Sequence, residues 1–110
     1  AGELKHGPIA MIDSNTLVIA LLTQEKLFEK TLSNIKEVKA RGAKVIAIAM
    51  EGSKKFSGEV DDVIYIPRTE WNFAPVVSAV PVQLFAYYMA YCLGTDIDQP
   101  RNLAKSVTVE

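Results

Sequence analysis

A chain of 110 residues with 49% hydrophobic and 23% charged side chains has the size and make-up of one soluble globular domain. Its net charge of −1, from 12 basic and 13 acidic residues, excludes the electrostatic footprint of a nucleic-acid or anionic-membrane binder. The chain opens Ala1-Gly2-Glu3 without a methionine or a charged-then-apolar leader, which reads as a piece of a longer cytoplasmic protein.

In chain order, Glu3-Leu4-Lys5-His6-Gly7-Pro8 comes first and holds the sole histidine. Three short apolar runs follow, at Leu17–Leu22, Val45–Met50 and Val63–Ile66. None alternates with period two, so each predicts a strand apolar on both faces, as in a parallel sheet covered by helices. Between the first two runs, Leu27, Phe28, Leu32, Ile35 and Val38 form one helical stripe and predict a helix over about Gln24 to Arg41. Thr23 is the expected N-cap and Gly42 the left-handed stop. A strand, helix and strand of this length predict a right-handed crossover unit. Glu51 to Asp62 is polar and reads as a surface connection.

Pro67 ends the third strand. The uncharged stretch Phe73 to Leu93 then predicts a buried helix rather than a bilayer span, because Ser78, Gln83, three tyrosines and two prolines interrupt it. Pro75 suits a first helical turn, Pro81 marks a kink or the true start, and Gly94 closes the helix. Three parallel strands make a thin sheet with an uncovered edge. The fold class expected is α/β, a doubly wound parallel sheet with helices on both faces, present as the C-terminal portion of one domain. Residues 1–94 form that portion and 95–110 a tail whose Leu103, Ala104, Val107 and Val109 suit a groove rather than a frayed end.

No glycine-rich phosphate-binding motif is present. His6 and Cys92 lie too far apart in sequence for a ligand pair, so no metal or cofactor is expected. Cys92 cannot form an internal disulfide and fits a reducing compartment. The serines lack a nucleophile-elbow context. Lysine and histidine chemistry is what remains.

The Glu3 to Pro8 segment and above all Asp98-Gln99-Pro100-Arg101-Asn102-Leu103-Ala104-Lys105-Ser106-Val107-Thr108-Val109-Glu110 resemble the C-terminal end of the glucosamine-6-phosphate synthase family. The isomerase half of that family consists of two sugar-isomerase (SIS) domains with a flavodoxin-like fold. The resemblance implies that Lys105 attacks C2 of fructose 6-phosphate and opens the ring through a Schiff base. An imine needs a neutral amine, and a lysine in water resists deprotonation at pH 7 by about 4–5 kcal/mol. A groove lined by Leu103, Ala104 and Val107 would lower that cost.

The resemblance also implies that His6 serves the neighbouring subunit's sugar, giving and taking protons during ring opening. Ala104 and Glu3 are the further substrate-binding candidates, Glu3 as a loop-orienting or interface carboxylate rather than the isomerising base. The implied partners are fructose 6-phosphate and glucosamine 6-phosphate, a glutaminase domain in the parent chain and a second copy in a homodimer. No nucleic acid or membrane is implied. The alternative is a non-catalytic SIS module that binds a sugar phosphate and regulates a partner. Such a module has no reason to keep both the lysine tail and the His6-Gly7-Pro8 loop. The family's isomerising glutamate and phosphate-cradling loop lie upstream of Ala1, so the fragment alone is expected to be inactive.

Overall fold

The computed structural model describes residues 2–53, 56 and 58–99. Its centre is a three-stranded parallel sheet of β1 (Leu17–Leu22), β2 (Lys44–Met50) and β3 (Asp62–Ile66), in the order β1-β2-β3. Val18 pairs with Val45 and Leu22 with Ala49, while Ile46 pairs with Asp62 and Met50 with Ile66. The three apolar runs are therefore strands, parallel as their lack of alternation implies.

Side chains alternate across a strand, so β2 sends Val45, Ala47 and Ala49 to one face and Ile48 and Met50 to the other. The first face packs with Ala20 and Leu22 against α1 (Phe28–Lys39), which contributes Phe28, Ile35 and Val38 from one stripe. On the second face Ile48, Met50 and Ile66 meet Ala74 and Val77 at the start of α2 (Ala74–Leu93). Helices therefore reach both faces of the sheet.

Three expectations are corrected. The first concerns the start of α1. A 3-10 turn, Glu25–Leu27, precedes it, and Leu27 occupies the capping position with no side-chain cap bond. Thr23 is not the cap. The Leu27 amide bonds the Gln24 carbonyl at 3.1 Å, and such a bond satisfies a terminal donor without help from a side chain.

The second concerns the polar connection after β2, which is not purely a surface segment. Phe56 is only 4% exposed and meets Phe28 edge-on, with ring centroids 5.8 Å apart. Among the described residues no helix lies between β2 and β3, and Ala47 and Ala49 are small, so two rings fill the space above them. The connection ends at Asp61, whose Oδ2 accepts the Val45 amide at 2.7 Å while its own amide bonds the Val45 carbonyl at 2.9 Å.

The third concerns α2, which runs through Pro81 and is not buried: only Ala74 and Ser78 are. Pro81 has no N–H for the Val77 carbonyl, and the Ser78 hydroxyl donates back to the Ala74 carbonyl at 2.7 Å. The helix is apolar all round, a pattern that demands cover on every side, and the described residues supply it only to the first turns. By length and composition it could cross a bilayer, with a mean hydropathy of 1.5, a test that the core helix of a larger protein also passes. The chain divides into two compact units, Ala1–Ser78 and Ala79–Glu110, with the boundary inside α2.

The stop of α1 is as expected. The Ala43 amide bonds the Val38 carbonyl at 3.3 Å and the Gly42 amide that of Lys39 at 2.9 Å, with Gly42 at φ 92°. This pair of bonds is a Schellman motif.

Candidate active site

Glu3 and His6 share one short 3-10 helix, Gly2–His6, and both are exposed. Lys105 and Ala104 lie outside the described residues. The 3-10 helix is held from two sides. Leu4 packs against the core beneath α1, and Lys5 Nζ lies 2.9 Å from Glu37 Oε1 on that helix. The imidazole of His6 has no hydrogen-bond partner among the described residues. Behind it, Gly7 at φ 153° turns the chain into Pro8–Met11, with Pro8 in the first turn where it costs no bond.

Glu3 faces a cavity of about 490 Å³ that runs along the open edge of β1, lined by Leu4, Val18, Ala20, Asn34 and Ile35 among others. His6 does not line it. The two candidates therefore share a backbone segment but not a pocket.

A second concavity lies where the strands end, the edge at which open parallel sheets bind ligands. Two adjoining cavities of about 220 and 540 Å³ share Thr23, Glu25, Met50 and Arg68. Arg68 Nη2 donates to Glu25 Oε1 at 2.6 Å and bridges the exits of β1 and β3. Ser53 closes the exit of β2 by donating to the Met50 carbonyl at 2.5 Å. None of these residues stands as a site candidate in the sequence, where Thr23 reads as a helix cap and Ser53 as a serine without a nucleophile-elbow context. Their signal was position, since each stands within three residues of the end of an apolar run. The groove offers hydroxyls and a neutralised guanidinium, and none of its lining residues is a histidine.

Among the described residues no three His, Cys, Asp or Glu side chains cluster as a metal site. The carboxyl clearly perturbed among them is Asp61, held below its ordinary range first by the hydrogen bond from Lys39 and then by the Val45 amide. It serves the scaffold rather than the His6 segment.

The SIS domain family matches residues 1–93. The aminotransferase "Glutamine--fructose-6-phosphate aminotransferase [isomerizing]" of Clostridium tetani is 61% identical over 110 residues, covering all of this chain and 18% of its own length. Its namesake from Caldanaerobacter subterraneus is 62% identical with the same coverage. Among solved structures, the C-terminal domain of glucosamine-fructose-6-phosphate aminotransferase from Francisella tularensis superposes with a TM-score of 0.78 at 40% identity. The match covers 89% of this chain and 28% of that one. The chain thus spans 18% of the length of these curated relatives. With the family matched across residues 1–93 and a parallel sheet bearing helices on both faces, the chain belongs to the SIS domain family.

Proposed function

We propose that the chain is the C-terminal part of the isomerase half of a glutamine–fructose-6-phosphate aminotransferase, an enzyme of amino-sugar synthesis in the cytoplasm. The observation that carries this reading is the 61% identity to the Clostridium tetani enzyme, which runs end to end and so takes in both the His6 segment and the Lys105 tail. In this reading residues 95–110 form the catalytic tail, and Ala104 lies against the sugar beside Lys105.

Once the ring is open, the Lys105 amine adds its lone pair to the C2 carbonyl carbon of fructose 6-phosphate, and loss of water leaves the imine. Ring opening breaks the bond between C2 and the ring oxygen. That oxygen must gain a proton as the C2 hydroxyl loses one, and an imidazole at His6 can carry this exchange, one ring nitrogen giving and the other taking. Glu3 orients the loop on which His6 sits. The enzyme acts as a homodimer in which His6 serves the partner's sugar, and the glutaminase domain of the same parent supplies ammonia.

Lys105→Arg in the full-length parent tests the assignment. Arginine keeps the charge but does not yield a free amine. Sugar turnover should fall to background with glutamine hydrolysis retained, and borohydride with fructose 6-phosphate should label Lys105 in the unaltered enzyme. A fully active arginine variant, or label on another lysine, overturns it. Mixed dimers of the Lys105→Arg and His6→Asn parents should regain part of the activity if the site is shared between subunits.

A further inference from the structure

We propose that Glu37, near the C-terminal end of α1, is a positioning residue for His6, acting through its ion pair with Lys5. The proposal rests on the reading of His6 as a proton carrier. A 3-10 helix has three residues per turn, so Leu4, Lys5 and His6 leave its axis in three different directions. Leu4 goes to the core and Lys5 to Glu37 Oε1 at 2.9 Å. With two of the three directions fixed, the direction of His6 is fixed as well, although its ring has no hydrogen-bond partner among the described residues. Without the Lys5 anchor, a short helix held by Leu4 alone can turn about that contact.

The base of the clamp is firm. Ile35 and Val38 on either side of Glu37 are buried under the sheet, and Lys36 and Lys39 tie the same turns to Glu59 at 2.9 Å and Asp61 at 2.7 Å. Stability does not explain the pair. Exposed ion pairs contribute little, and Lys5 is largely in solvent. Glu37 Oε2 is moreover shut away from water without a hydrogen-bond partner among the described residues, an arrangement that disfavours folding. A carboxylate kept at that cost is explained by what it holds.

The test compares kcat and KM for fructose 6-phosphate in the full-length parent and its variants. Glu37→Gln and Lys5→Met should each lower kcat about tenfold with KM nearly unchanged, as expected when a group supporting a catalytic side chain is removed. The charge swap Lys5→Glu with Glu37→Lys should recover most of the loss. In a His6→Asn background, Glu37→Gln should add no further loss to the residual rate. A merely structural carboxylate would lower the rate equally in both backgrounds, and that result overturns the proposal. So does a His6→Asn effect with no Glu37→Gln effect. An unchanged kcat in His6→Asn itself removes the role of His6 and this inference with it.

Discussion

Asp61 ends the connection from β2 to β3, where no helix occurs among the described residues. Its two oxygens are divided between Lys39 Nζ and the Val45 amide, each at 2.7 Å. Both donors favour the ionised form, so its pKa lies below the ordinary 3.8. A folded-state pKa below the unfolded one gives a contribution that is full above the unfolded value and lost as pH falls through the folded one. Asp61→Asn should therefore lower the urea midpoint of unfolding at neutral pH, and the gap to the unaltered protein should close below pH 3.8. A gap that is constant from about pH 7 to about pH 2 would count against this account. Such contacts were illegible in the sequence. Asp61 lies 16 residues from Val45, and only the strand pairing says that they meet. The Lys5–Glu37 pair joins residues farther apart still in sequence. The Glu3 to Pro8 loop and the Lys105 tail were legible for another reason, because their residue types match a motif that needs no topology.

Among the elements, β1 is bounded by the same residues as its apolar run, since a strand of a parallel sheet carries its signal in an unbroken run of apolar residues. The end of α1 was equally plain because a glycine at φ 92° is chemically distinct. Its start was not, because a 3-10 turn and an α turn differ by bonds that packing decides. Phe56 was hidden by its polar neighbours, and only the two small alanines below it explain why a ring is needed there. Gly42 carries a further demand, since an added Cβ would stand 3.3 Å from Ser14 Cα in the turn before β1. Gly42→Ala should cost about 1–2 kcal/mol for the left-handed backbone alone, and more once the Ser14 turn shifts. Gly2→Ala, with nothing within 4 Å of its Cβ, is the control and should leave the denaturation midpoint unmoved.

For the whole molecule, the open edge is the dominant fact. Leu17 and Leu21 on β1 are 44% and 49% exposed, and on α2 Val76 reaches 70% and Tyr88 60%. Natural sheets protect such edges, and soluble monomers rarely leave so much apolar surface bare. The purified chain of residues 1–110 should self-associate on size exclusion, bind a hydrophobic dye, and show neither isomerase nor synthase activity. A stable monomer that interconverts fructose and glucose 6-phosphates would show that the chain needs no parent. The sequence pointed to a thin sheet with an uncovered edge but not to a bare α2. A run apolar on all sides declares that it must be covered, and it says nothing of which polypeptide does the covering.

The chain's single cysteine, Cys92, stands exposed near the end of that helix. Its thiol makes the cover measurable without any substitution. Alkylation should be rapid while α2 is bare and slow once a neighbouring surface closes over it, so that closure becomes a labelling rate. The same atom records disassembly in reverse, and a single mass shift per chain distinguishes the two states at any moment.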